Sequence, residues 1–186
     1  MLVAPFKVVL DANVLYPFTL RDTLLRAAAE GLFQLYWSAE IRQEAIRNLV
    51  ASTTITAEQG TKLRETMERA FPEAEVTGYE SLVAAMQNDP KDRHVVAVAV
   101  KAGAQVIVTM NLRDFRELPD GIEAQSPDEF LSNLFDLDPD GIIDLLHDQA
   151  AALKAPPRSF EEIVAALAKM VPGFAAAVSE HATKSP

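Results

Sequence analysis

Residues 91–114 read KDRHVVAVAVKAGAQVIVTMNLRD, and two neighbouring segments within them set the fold class. Lys91 to Ala102 is a strongly apolar helical stretch, so its middle is expected deep in the fold. Gln105 to Met110, QVIVTM, is short and rich in β-branched residues, the pattern of a buried strand. The same strand pattern occurs near the start of the chain, in Phe6 to Leu10, FKVVL, which ends in the turn-forming Asp11-Ala12-Asn13. Between the two strands, Arg21 to Leu32 reads as a helix with Leu24, Leu25, Ala28 and Leu32 on one stripe. Phe33 to Trp37 is strand-like, and Ser38 can cap a helix running to about Val50. Thr56 to Ala70 predicts a solvated helix, Glu75 to Thr77 a short strand, and Ser81 to Gln87 a short helix. This alternation predicts an α/β fold with a mainly parallel central sheet flanked by helices.

Beyond Asp114 the pattern changes. Ser126-Pro127-Asp128-Glu129 combines a capping serine, a proline at the first helical position and an acid in the first turn. Ser159 and Glu162 repeat the capping-box spacing, and Pro156-Pro157 breaks whatever helix precedes them. The expected organisation is a first domain over residues 1–125. Residues 126–186 form a helical C-terminal extension of two or three helices packed on that core.

The 186 residues include no cysteine, which excludes disulfides, thiolate metal sites and cysteine nucleophiles. Three histidines make a His-rich zinc site improbable on composition. No apolar run approaches the roughly 18–20 residues of a membrane span, and Met1 to Pro5 lacks a basic leader, so a cytoplasmic location is expected. The formal charge of −10 argues against a non-specific nucleic-acid binder. The excess is uneven, however: residues 1–125 hold 17 acids and 13 bases, whereas residues 126–186 hold 10 acids and 4 bases. Glycine-rich phosphate loops are absent, and Ser38 lacks the context of a nucleophile elbow.

In parallel sheets, ligands bind beyond the carboxyl ends of the strands. Asp11 follows FKVVL, and Asp114 follows QVIV within TMNLRD, so two strand ends deliver acids to one edge. Asp92 opens the apolar helix, and Glu44 lies within an amphipathic one. Any one of these acids has an ordinary use as a turn, cap or surface residue. Together they would repel one another, at about 4 kcal/mol per pair some 4 Å apart at intermediate dielectric. A divalent cation removes that cost, and an all-oxygen donor set favours Mg²⁺ or Mn²⁺ over Zn²⁺. Such an ion can activate water and neutralise a phosphodiester, which would make the set catalytic for hydrolysis.

The ordered segments VVLDANVLYP, SAEIRQEAIRNL, DPKDRHVVAVAVKAGAQVIVT and NLRDF resemble the PIN-domain nucleases over roughly residues 5–118. Within that superfamily the chain looks like a VapC-type toxin of a bacterial toxin–antitoxin pair. The tail from Pro127 to Leu167 is similar to an extension found in one VapC subgroup. The resemblance implies a PIN-like three-layer fold and a metal-dependent endoribonuclease with Asp11, Glu44, Asp92 and Asp114 as its catalytic metal ligands. It also implies support from Asn13, Thr109 and Asn111, homodimerisation, and inhibition by a VapB-like antitoxin. Family spacing favours Glu44 over Glu40, which shares its helix face. Pro90 biases Asp89 towards extended backbone and so favours Asp92.

Among the basic residues that could grip RNA phosphates (Arg21, Arg42, Lys91, Arg93 and Arg113), Arg93 and Arg113 are the expected RNA contacts, since each is a near neighbour in sequence of an expected metal ligand. His94 is read as a packing residue, and Tyr16, Phe18 and Trp37 as apolar packing before base stacking. Asp136 to Gly141 mimics the opening of a calcium loop. His147 stands where that loop needs glutamate, and Pro139 suits a helix start. Two rival readings remain: a PIN nuclease of RNA processing without an antitoxin, and a non-catalytic acidic interaction module.

Overall fold

The computed structural model describes residues 6–184, the side chain of Lys184 excepted. The leader reading of residues 1–5 lies outside them. The chain divides into two compact units. One runs to Tyr16 and resumes over Phe33–Gln125; the other takes Pro17–Leu32 and resumes at Ser126.

The first unit is built on a parallel four-stranded sheet in the order β2-β1-β3-β4, flanked by helices. The strands are β1 (Lys7–Leu10), β2 (Gln34–Tyr36), β3 (Val106–Val108) and β4 (Glu123–Gln125). Val8, Val9, Leu10, Ile107 and Val108 are fully buried, as expected where helices cover a parallel sheet. The helices are α1 (Ala12–Leu15), α3 (Ala39–Ala51), α4 (Ala57–Ala70) and α5 (Arg93–Ala102). Helix α5 carries an unbroken buried run from Val95 to Ala99 and packs on β1 and β3. Ser38 caps α3 by accepting from Ile41 N at 3.2 Å, and Thr56 with Gln59 forms a capping box on α4.

Several local expectations differ from the structure. Asp11-Ala12-Asn13 is not a bare turn: Asp11 caps the one-turn helix α1, with Ala12 N donating to its Oδ1 at 2.7 Å. Glu75 to Thr77 makes a single bridge to Trp37, not a strand, and residues Glu80–Ala85 are a 3-10 helix. Strand β4 went unforeseen because the alternation of Ile122 and Ala124 with Glu123 and Gln125 spans only four residues; pairing with β3, Val106 opposite Glu123, supports its extended form.

The second unit is all helical: α2 (Phe18–Ala29), α6 (Pro127–Leu137), α7 (Pro139–Ala152), α8 (Phe160–Leu167) and α9 (Pro172–Lys184). Helix α2, which the sequence reading grouped with the first domain, packs on α7 and α8. Its Thr23 hydroxyl lies 2.9 Å from Gln149 Oε1, and Gln149 Nε2 donates to Thr19 O at 3.2 Å, both inside the unit. The tail holds four helices, not two or three. Asp138 starts α7 directly after α6 by accepting from Gly141 N, so the calcium-like DLDPDG is a helix start. Asp128 on α6 starts α9 by accepting from Gly173 N at 3.1 Å and Phe174 N at 2.8 Å. Among the described residues, no helix is long and apolar enough to cross a membrane.

Arg42, considered above as a phosphate grip, is instead part of the core of the first unit. Its side chain is only 2% exposed and pairs with Glu68 at 2.7 Å and with Glu75, and its guanidinium lies over Trp37. It thereby ties α3 to α4 and to the segment before Glu75. Both glutamates keep substantial solvent access, so most of the contribution comes from packing of the long side chain. Arg42→Ala should therefore lower unfolding stability by about 2–3 kcal/mol, while Arg42→Met retains most of it. Urea denaturation followed by circular dichroism measures both; equal losses would mean that charge, not packing, dominates.

Candidate metal centre

The site begins with strand register. Leu10 pairs with Val108, so the next residues, Asp11 and Thr109, emerge side by side at the carboxyl edge of the sheet. Asp11 N donates to Val108 O at 3.1 Å and continues the pairing by one residue. The Asp11 carboxylate then takes three short hydrogen bonds. They come from Ala12 N at 2.7 Å, Asn13 Nδ2 at 2.7 Å and the Thr109 hydroxyl at 2.8 Å. Asn13 also reaches Thr109 Oγ1 at 3.0 Å and accepts from Met110 N at 3.0 Å, and Asn111 N donates to Thr109 Oγ1 at 3.1 Å. Asp11, Asn13, Thr109 and Asn111 are thus one rigid network across two strand ends.

The other acids arrive on separate elements. Residues Pro90–Asp92 form a 3-10 turn leading into α5, and Asp89 caps that turn by accepting from Lys91 N at 3.1 Å. The Asp89 side chain is therefore occupied locally, and Asp92 faces the cavity. Asp89 N donates to Asp114 O at 3.2 Å, which draws the start of α5 to the 3-10 turn Leu112–Phe115. Glu44 comes from α3. Glu40, its rival one turn earlier, accepts from the Tyr79 hydroxyl at 3.0 Å.

Asp11, Asn13, Glu44, Asn48, Lys91, Asp92 and Asn111 line one cavity of about 220 Å³. Three of the four expected acids therefore share a cavity. Asp114 does not line it but adjoins it: Lys91 Nζ lies 2.6 Å from Asp114 Oδ2, and Asn111 Nδ2 donates to the same oxygen. Arg93 and Arg113 do not line the cavity. Arg93 Nε donates to Asn88 O at 3.2 Å, and Arg113 is exposed on its turn. Sequence reading missed Asn48, whose one signal was its position one helical turn after Glu44, and it ranked Lys91 below the two arginines. His94 Nδ1 lies 3.0 Å from Lys91 O, and its buried Nε2 faces Glu44 at 3.8 Å without a hydrogen-bond partner. Trp37 is buried against Phe71 and so presents no free stacking face, whereas half-buried Tyr16 donates its hydroxyl to Ser52.

The crowding of acids shows in their protonation. Burial raises the Asp11 carboxyl above the usual carboxylate range despite its hydrogen bonds, and Glu44 adds to the shift. Burial, then the charge of Asp11, pushes Asp92 up to about 7. Asp114 moves the other way because Lys91 stabilises its charged form. Among the described residues, no three of His, Asp and Glu are already closed into a ligand set. The donor chemistry nevertheless fits a hard divalent cation: the converging acceptors are oxygens, and two of them are short of positive charge.

A carboxyl whose folded value is raised from 3.8 to about 7 holds its proton more tightly folded than unfolded. Its contribution to stability is present below about pH 4 and is lost as pH rises through 7. In EDTA, the stability of Asp92→Asn should therefore rise relative to the unsubstituted protein between pH 4 and pH 7.5. Urea titrations across that range test this, and a pH-independent difference would contradict it.

Comparison with known proteins agrees with this geometry. The family model described as "PIN domain" matches residues 7–113, and the one described as "VapC50 C-terminal domain" matches residues 127–180. A protein of Mycobacterium tuberculosis named "Putative ribonuclease VapC50" is 41% identical over 102 residues, 53% of this chain. The match spans 60% of that relative's length. No solved structure matches the chain. With a PIN-domain model covering β1 to β3 and every residue that lines the acidic cavity, more than half of the chain, the chain belongs to the PIN-domain family.

Proposed function

We propose that this protein is a metal-dependent endoribonuclease, the toxin of a type II toxin–antitoxin pair. The observation that carries this reading is the sharing of one cavity by Asp11, Glu44 and Asp92, with Asp114 at its rim. These four acids would hold Mg²⁺ or Mn²⁺. Such an ion supplies a lowered pKa for attacking water and compensation of charge on the phosphodiester.

The chain's own residues do the positioning. Thr109 and Asn13 fix both the angle and the exposed edge of the Asp11 carboxylate. Asn111 holds Asp114 through its amide, and its backbone N–H joins Asp114's support to that of Asp11. Asn48 and Lys91 face the same cavity and offer donors to non-bridging phosphate oxygens. Arg93 and Arg113 act further out along the RNA backbone. In the reaction, oxygen from water bonds to phosphorus and the P–O3′ bond breaks. The products are a 5′-phosphate and a 3′-hydroxyl that takes up a proton. RNA as substrate is supported by the name of the mycobacterial relative and by the PIN family. A VapB-like antitoxin and a homodimer are proposed from the VapC resemblance.

Changing a residue that only supports a metal ligand typically costs about 10–100-fold. Asn13→Ala should fall in that range, and Asp11→Asn or Asp92→Asn should lose more than about 100-fold while keeping the far-ultraviolet circular dichroism of the parent. The assay is cleavage of a mixed RNA pool with Mn²⁺, followed by sequencing of the cut ends. Cleavage that persists in EDTA or in either aspartate variant would sink the proposal.

A further inference from the structure

Lys91 is the one cation among the residues lining the acidic cavity. Its ammonium lies 2.6 Å from Asp114 Oδ2 and 4.0 Å from Asp92 Oδ2, and its side chain is 64% exposed. It therefore has both the reach and the solvent access to leave. Asp114 Oδ2 already accepts from both Lys91 and Asn111, so the oxygen that would meet an incoming cation is taken by donors of the chain.

We propose that Lys91 is the resident counter-ion of this cavity and competes with a divalent cation for Asp114, so that entry of the ion displaces the ammonium from that carboxylate. This rests on the metal-centre reading above and adds a regulatory part to it. Lys91 is then a positioning residue in two states. Without a cation it neutralises the outer end of the cavity, where Asp92 and Asp114 would otherwise face each other as like charges. With a cation bound, its ammonium is released at the cavity mouth, where the anionic RNA backbone must approach. The competition lowers affinity for the ion in the absence of RNA.

The test is Mn²⁺ binding to the full chain by isothermal titration calorimetry, without RNA and at fixed ionic strength. Lys91→Ala should lower the Mn²⁺ Kd by about tenfold. Lys91→Arg, which keeps the charge, should not lower it. Lys101→Ala serves as the charge-matched control, since Lys101 lies near the far end of α5, about 13 Å along its axis from Asp92. It should leave the Kd within about twofold, because charges beyond a Debye length are screened. Equal effects of the two alanine variants, or weaker binding by Lys91→Ala, would overturn the competition while leaving the metal centre standing. No Mn²⁺ binding by any variant at millimolar concentration would overturn the metal centre itself, and the competition with it.

Discussion

The parallel pairing of β1 with β3 is the interaction on which the site depends. It fixes Leu10 opposite Val108 and therefore delivers Asp11 and Thr109 to the same edge, where one hydroxyl and one amide lock the carboxylate. A slip of one residue would reverse the side-chain faces of the strand and turn Asp11 away from its partners. The buried residues Val8, Val9, Ile107 and Val108 resist such a slip, because each packs closely in a sheet that is buried on both faces. The apolar core thus sets the position of a polar site that contributes little to folding.

The site works against stability. Asp11 is buried, and burial, then the charge of Asp11, pushes the Asp92 carboxyl up to about 7. Compensation comes from the backbone and from neutral donors: Ala12 N, Asn13, Thr109 and Asn111 supply hydrogen bonds without supplying charge. Such groups orient carboxylates but leave them anionic, which is what a divalent ion requires of its ligands. Elsewhere the chain treats its charges differently. Arg42 is neutralised fully by Glu68 and Glu75, and Asp128 and Asp138 are spent on helix starts. Where a charge serves the fold it has a partner; in the cavity the acids outnumber the one lysine.

Much of this was legible in the sequence, and the omissions have physical causes. The buried strands FKVVL and QVIV and the apolar helix from Arg93 declare themselves through β-branched runs, and the acids at their ends follow from the topology of parallel sheets. The hydrogen bonds of Asp89 and Glu40, capping the turn before Asp92 and accepting from Tyr79, are tertiary facts that spacing does not encode. Strand β4 is only three residues long, too short for its alternation to stand out, and pairing with β3 supports its extended form. The grouping of α2 with α7 and α8 depends on Thr23 meeting Gln149, a pair 126 residues apart. Lys91 looked like any solvated lysine, because its role depends on Asp114 folding back against the start of α5.

Diffraction from crystals soaked in Mn²⁺, with anomalous differences recorded at a wavelength sensitive to manganese, bears most directly on whether these carboxylates form a metal centre. The account requires a strong peak bounded by residues 11, 44 and 92, with 114 beside it. A map empty there at saturating Mn²⁺, or with its main peak on the acidic helices of the other unit, would contradict it.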